Sequence, residues 1–415
     1  MEWIILSHNK VDLKNCPLQQ VTFCIELLLI PGGPFNNETI NYMNASSIAI
    51  KQIEIYRSPI KLKETFITSL GPLDYAENVV VVIRTNKGLT GFGECSPFMT
   101  INGESIDTCF IVAQYLAKIL VGKNALDIET CSLTMDKIIY GNSSIKSAFD
   151  IALYDIAAQH ADLPLYAFLG GNNNKTLVTD YTVSIGTPAK MANDAIKIKN
   201  NGFQFIKVKL GESREVDVER IRLISEAVGP GLPLRIDANQ GWSTEDAIAT
   251  LNALAAFNIQ HCEEPIARWN FMELSKVKEQ SPIPIMADEC CCDHNDAKRL
   301  ISLSACDMFN IKLGKSSGIF KAQKIIKLAE PAGIKMQLGG FLESRLAFTA
   351  AAHLALTSDA ILHYDFDTPL MFVEDPVVDG IMYDNKGVIT IPEKNGLGAS
   401  LDEQYLRRLT KAIIN

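Results

Sequence analysis

An α/β fold, with a (β/α)-barrel preceded by a smaller α+β unit, is what this 415-residue sequence predicts. Three observations carry it. From about residue 181, short apolar runs of strand length alternate with amphipathic stretches of helical period. The strand ends, at 186, 209, 237, 263, 288, 312, 338 and 365, follow one another at steps of 23 to 28 residues, the length of one strand, one helix and two loops. Residues 48–139 read differently, strands first and helices after, which is the order of an α+β unit.

Residues 48–58 (IAIKQIEIYRS) alternate apolar and polar side chains, as a half-buried strand does. Residues 78–85 and 89–94, joined by the turn Asn86-Lys87-Gly88, read as a hairpin. Helices are expected over 106–121 and 127–139, and a long apolar-periodic one from Ile145 to His160, ending before Pro164. The barrel strands are placed at 181–186, 204–209, 233–237, 259–263, 284–288, 308–312, 334–338 and 361–365. Strand and turn signals return at 378–381 and 388–391, and these are expected to rejoin the N-terminal unit. Residues 21–31 (VTFCIELLLIP) imitate a signal-peptide core, but Glu26 interrupts it and no basic run or cleavage site frames it. Met43 stands just before the first patterned strand, so residues 1–42 read as an extension outside the fold. The expected organisation is an extension (1–47), a capping unit (48–160), the barrel (161–375) and a return to the cap (376–415).

Composition narrows the function. Hydrophobic residues make up 47%, enough for a large core. A net charge of −9 argues against nucleic acid as a partner. No run of about 18 uncharged apolar residues marks a membrane span. The ten cysteines are scattered apart from Cys290-Cys291-Cys292 and form no C-x-x-C pair, which fits a reducing, cytoplasmic setting. A homo-oligomer is compatible with all of this.

The chemistry lies at the strand ends, which in a (β/α)-barrel form the catalytic face. Those ends carry Lys207 and Lys209, Asp237, Glu263, Asp288, Lys312 and Asp365. Buried charges are costly unless paired or metal-bound, so their recurrence on successive strands reads as a site. Lys207 and Lys209 are two apart and share a side of their strand; alone, K-x-K would read as a solvated face. Any one of the carboxylates alone would read as a helix cap. Asp237, Glu263 and Asp288, from three consecutive strands, converge, and three hard oxygen ligands suit Mg2+. His261 shares a side with Glu263 and reads as packing or as a group behind the site. Lys312 ends the sixth strand, across the barrel from the second. A lysine on each side of a metal-held carboxylate allows one base to remove an α-proton and the other to return it on the opposite face, which is racemisation or epimerisation. A nearby dication is expected to lower the lysine pKa values.

These motifs, K-V-K (207–209), D-A-N-Q-G-W (237–242), C-E-E-P (262–265), A-D-E (287–289) and N-I-K-L-G-K-S-S-G-I (310–319), resemble the enolase superfamily in its muconate-lactonising subgroup, over residues 48–400. The resemblance implies a modified (β/α)7β barrel with an α+β capping domain built from both chain ends. It implies Mg2+ on Asp237, Glu263 and Asp288, Lys209 and Lys312 as the acid/base pair, and Lys207 stabilising an enediolate. A lysine base working with Mg2+ is the general chemistry of that superfamily.

Asp365-Phe366-Asp367 resembles the D-x-D motif of the dipeptide epimerases, whose substrates carry a free α-ammonium that two carboxylates can hold. The other reading is that Asp367 caps the helix before Pro369. Residues 66–73 (FITSLGPL) match the family's mobile loop, and the resemblance places Phe66, Gly71 and Thr182 among the substrate contacts. The L-Ala-D/L-Glu epimerases carry arginine at the position of Gly71, so a small neutral dipeptide of Ala-Ala type is expected here. The loop 95–103, apolar around Phe98 and Met99, agrees. Cys290–Cys292 read as small packing residues. The rivals are o-succinylbenzoate synthase or N-succinylamino acid racemase, L-Ala-D/L-Glu epimerase, and a barrel that binds without catalysis.

Overall fold

The computed structural model describes residues 48–415, together with 4–6 and 9–11. The expected extension 1–47 and the signal-like run 21–31 therefore lie almost wholly outside the described residues. Near the N-terminus, β1 (Ile4–Leu6) and β2 (Asn9–Val11) form an antiparallel pair. Residues 48–415 pack as one unit, cap and barrel together.

The cap is a four-stranded antiparallel sheet in the order Lys411–Ile414 (β19), Ile50–Thr68 (β3), Gly71–Thr85 (β4) and Thr90–Cys95 (β5). Strands β3 (Ile50–Thr68) and β4 (Gly71–Thr85) are far longer than the expected 48–58 and 78–85. They pair from Ile50↔Thr85 to Thr68↔Gly71, so the loop foreseen at 66–73 is the tip of a long hairpin. The alternation Ile60, Leu62, Phe66 continues the buried face outward, although Lys61, Lys63 and Glu64 dilute it.

Strand β5 (Thr90–Cys95) lies against the helix Ser143–His160. A Cβ on Gly91 or Gly93 would stand 2.1 Å from the carbonyl oxygen of Ala152 or 1.9 Å from that of Ala148, so only glycine allows this approach. That helix is buried on nearly every side, because the cap sheet covers one face and the barrel the other.

The barrel strands run parallel in chain order: β7 (Tyr181–Val183), β8 (Ile206–Lys209), β9 (Leu234–Asp237), β10 (Ile259–Glu263), β11 (Ile285–Ala287), β12 (Met308–Lys312), β13 (Lys335–Gly339) and β14 (Ile361–Tyr364). Helical segments connect each to the next. After β14 comes only the short 3-10 turn Thr368–Met371, which is the (β/α)7β pattern. The first and last strands meet through one parallel bridge, Thr179 to Tyr364.

The return to the cap differs from expectation. Strand β15 (Val377–Asp379) pairs with β18 (Ala399–Leu401). Strands β16 (Met382–Tyr383) and β17 (Val388–Thr390) form a small sheet with β6 (Leu177–Val178) on the barrel flank. Only β19 (Lys411–Ile414) joins the cap sheet, against Ile53–Tyr56 of β3. These strands of two to four residues carry too little alternation to show where they pair.

Candidate active site

Strand β8 is buried throughout: Lys207 and Lys209 turn into the barrel while Ile206 and Val208 join the core under the helices. Asp237 and Glu263 end the neighbouring strands in register, and Asp288 follows β11 directly. All three carboxylates are fully buried. The lysines interleave with them. Lys209 Nζ donates to Asp237 Oδ2 at 2.6 Å. Lys207 Nζ reaches Glu263 Oε2 at 2.8 Å, Asp365 Oδ2 at 2.7 Å and Asp237 Oδ2 at 3.2 Å. Lys312 Nζ lies 2.7 Å from Asp288 Oδ2 and 3.9 Å from Glu263 Oε1.

Burial pushes Glu263 up to about 7, and the neighbouring Asp237 adds to this. Burial also pushes Asp288 up, but the ammonium groups of Lys312 and Lys315 reverse it and hold the carboxyl below its usual range. Burial would lower Lys207 and Lys312; the facing carboxylates outweigh it and raise both. The expected depression of the lysines is therefore not produced by the protein's own groups, which favour the ammonium form.

The tightest carboxylate cluster is not the expected one. Among the described residues, it is Asp180, Asp365 and Asp367 that bring one oxygen each within 4.8 Å of the others. Asp237, Glu263 and Asp288 stay spread on adjacent strand tips with lysines between them. They nonetheless fit a hard divalent cation. Both Asp288 oxygens are buried without a hydrogen bond, their two lysine contacts being poorly directed, and the set offers oxygen only.

Several groups bracing this site escaped the sequence reading. Lys315, one turn beyond Lys312, lies 2.5 Å from Asp288 Oδ1 and donates to the carbonyls of Asp288, Cys291 and Asn310. Glu264 accepts from the amides of Asp288 (2.6 Å) and Cys290 (3.1 Å), fixing the turn that presents Asp288. Glu264 itself sits at φ 33°, and Asn239 and Gln240 at 41° and 70°, so the tips of β9 and β10 turn sharply into their loops. Asn310 Nδ2 donates to Glu263 Oε1 at 2.8 Å. The motif spacing displayed these residues, but their roles depend on loop geometry that spacing does not give.

Above the strand tips is a pocket of about 520 Å3, counting its open mouth. Lys207, Lys209, Lys312, Asp365, Asp367 and Thr182 all line it, and so does Phe66 from the hairpin. The hairpin tip rests on the barrel: Ser69 Oγ donates to the Asn239 carbonyl at 2.9 Å, and the Ile185 amide to the Ile67 carbonyl at 2.9 Å. Phe98 packs on Phe341 at 5.7 Å between ring centroids, and Lys312 lies over the Phe341 ring.

Gly71 does not line the pocket. It is the residue after the turn at the hairpin tip, with φ 123° and open space at its Cβ position. Leu70 lines the pocket in its place, and an arginine at 71 would be strained. Met99 is likewise 70% exposed, and Ile101 takes the place foreseen for it.

Asp367 precedes the 3-10 turn without capping it through its side chain; Oδ2 accepts from the Thr182 amide at 2.7 Å. His261 is packing: fully buried, pushed well down by burial and Arg235, its ring 5.0 Å from that of His363. Cys291 is buried, and burial raises all three thiols of the run, Cys292 to about 11, which suits packing and not reactivity. No helix among the described residues is long and apolar enough to cross a membrane.

Comparison with known proteins agrees with this geometry. Residues 50–170 match the mandelate racemase / muconate lactonizing enzyme N-terminal domain, and residues 190–405 the enolase C-terminal domain-like family. A D-Ala-D/L-Ala epimerase of Cytophaga hutchinsonii is 62% identical over 88% of this chain and 100% of its own length. The crystal structure of a dipeptide epimerase from that organism, complexed with Mg and the dipeptide D-Ala-L-Val, superposes with a TM-score of 0.88 over 89% of this chain and 100% of that one. The L-Ala-D/L-Glu epimerase of Bacillus subtilis is 38% identical over 84% of this chain and 96% of its own length.

Proposed function

Because this chain belongs to the mandelate racemase / muconate lactonizing enzyme family of the enolase superfamily, we propose that it is a Mg2+-dependent dipeptide epimerase, inverting the α-carbon of the C-terminal residue of a small neutral dipeptide of Ala-Ala type. The observation that carries this reading is a single pocket lined by Lys209, Lys312, Asp365 and Asp367 together.

Asp237, Glu263 and Asp288 would hold Mg2+, whose charge, when bound, anchors the substrate carboxylate and favours loss of the adjacent proton. Lys209 and Lys312 serve opposite faces of the α-carbon. One, as the free amine, takes the proton; the other, as ammonium, returns one on the far side. The inversion leaves their protonation states exchanged, and exchange with solvent resets them. Lys207, held between Glu263 and Asp365, keeps its ammonium beside the developing enediolate. Asp365 and Asp367 hold the α-ammonium of the dipeptide. The hairpin tip, Phe98 and Phe341 keep water from the reacting carbon. The cap, residues 48–160 with the returning strand Lys411–Ile414, thus serves as the cover of the barrel.

An N-acylated amino acid presents a neutral amide where Asp365 and Asp367 stand, so their buried charge lacks the cation a dipeptide ammonium supplies. Ala-Glu asks for a further cation, and the lining holds none beyond Lys207, Lys209 and Lys312. A screen of dipeptides and N-acyl amino acids in D2O, read by mass, tests the reading. α-Deuteration of Ala-Ala is expected; exchange confined to N-acyl substrates would overturn it.

A further inference from the structure

Behind the ammonium clamp stands a third carboxylate, Asp180, just before the first barrel strand. It is fully buried, and one of its oxygens lies within 4.8 Å of oxygens of Asp365 and Asp367. The three are unequally served. Arg235 Nη1 donates to Asp180 Oδ2 at 2.8 Å, Lys207 Nζ to Asp365 Oδ2 at 2.7 Å, and the Thr182 amide to Asp367 Oδ2 at 2.7 Å. Asp180 Oδ1 is buried with no partner at all.

The surrounding elements supply little positive charge. Lys207 is shared with Glu263 and Asp237, and Lys209 is bound to Asp237. His363 lies 3.0 Å from Arg235 and His261 against His363; burial, then Arg235, pushes both rings down, so they stay neutral. Tyr181 and Tyr383 face Asp367 with phenols that burial raises, so they stay protonated. Arg235, which also donates to Gln260 Oε1 and the Tyr364 carbonyl, has Asp180 as its one carboxylate partner and is therefore the cation the triad does not share with the metal-site carboxylates among the described residues. Three carboxylates this close, out of water, cannot all stay ionised against one whole and one shared cation.

We propose that Asp180, Asp365 and Asp367 together hold one proton when no substrate cation is present, and that the α-ammonium of the dipeptide displaces this proton on binding. Asp180 is the positioning residue whose added charge makes the exchange necessary. The inference rests on the dipeptide reading above and deepens it. The exchange balances: protonated enzyme and R–NH3+ give the enzyme–R–NH3+ complex and a proton released to solvent. Oδ1 of Asp180, otherwise orphaned, gains a hydrogen-bonding role in the protonated cluster. Burial would raise Asp365, but the Lys207 and Lys209 ammonium groups outweigh it and hold that carboxyl below its usual range, so the proton falls to the other two. Burial and then Asp365 raise Asp180 well above a normal carboxyl, and they raise Asp367 to about 7. Dipeptide affinity should thus climb with pH below about 7, by up to about tenfold per unit, until the amine itself deprotonates near about 8.

The test is calorimetry of the Mg2+-loaded enzyme with Ala-Ala at pH 6, in two buffers of different ionisation enthalpy. Release approaching one proton per dipeptide is expected, falling toward zero at pH 8, with the acid limb of kcat/KM carried by KM. In Asp180→Asn the release at pH 6 should drop to roughly half or less, and the acid limb should move down by about one pH unit. The wild-type measurement stands even if that variant folds poorly. Equal heats in both buffers at pH 6, or an unmoved acid limb in a folded Asp180→Asn, would overturn the proposal. Turnover without proton release defeats this inference alone, whereas absence of both binding and deuterium exchange defeats the epimerase reading as well.

Discussion

The barrel tips and the cap hairpin face the same pocket but are held by different forces. At the tips, seven charged side chains, Lys207, Lys209, Asp237, Glu263, Asp288, Lys312 and Lys315, are each less than a tenth exposed and locked by reciprocal ion pairs. The hairpin tip meets the barrel through neutral hydrogen bonds, from the Ser69 hydroxyl and to the Ile67 carbonyl, and offers apolar Phe66 and Leu70 to the pocket. Removing one member of the first set strands its partners in low dielectric. Changing the second alters shape and charge at a rim. The chemistry should therefore be brittle and the specificity adjustable.

Four experiments bear on that contrast. Lys209→Ala and Lys312→Ala should each cut epimerisation by about 10²–10⁴ or more, with any residual α-proton exchange confined to a single epimer. Near-normal turnover of either in both directions would break the two-base assignment. Asp365→Asn should cost dipeptide kcat/KM on the order of 2–5 kcal/mol, by analogy with buried charge pairs, with a smaller change in Mg2+ affinity. Parallel titrations of metal and dipeptide separate the two. Lys315→Met, which removes the brace on Asp288, should weaken Mg2+ by about 10–100-fold, as loss of an outer partner of a metal ligand does. An unchanged metal isotherm would show Asp288 fixed by Glu264 alone. Leu70→Arg should move preference from Ala-Ala toward Ala-Glu by roughly tenfold, the smallest effect, because a rim cation is partly solvated. If the parent already prefers Ala-Glu, a cation outside the described lining serves that pocket.

The same contrast governs what the sequence made legible. Charges at strand ends stand out against apolar runs, so Lys207, Lys209, Asp237, Glu263, Asp288, Lys312 and Asp365 could be read from spacing. The (β/α) order could be read because each unit repeats one length. The hairpin arm was hidden, since Lys61, Lys63 and Glu64 interrupt its alternation and its partner lies across a two-residue turn. The contacts of Leu70 and Ile101 were misassigned to Gly71 and Met99 because direction at a turn depends on φ, which neighbouring residues do not announce. Asp180 and Arg235 were invisible for another reason. Their partnership spans different strands, and neither stands at a tip.

The bridge between Thr179 and Tyr364 has a mechanical consequence. It is the seam where the cylinder closes, and its two sides carry Asp180 on one edge and Asp365 and Asp367 on the other. A cation seated among these carboxylates would act as a rivet across the seam. Amide hydrogen exchange at residues 179–183 and 361–367 should therefore slow on dipeptide binding more than elsewhere in the barrel wall, making substrate a fastener of the fold as well as its cargo.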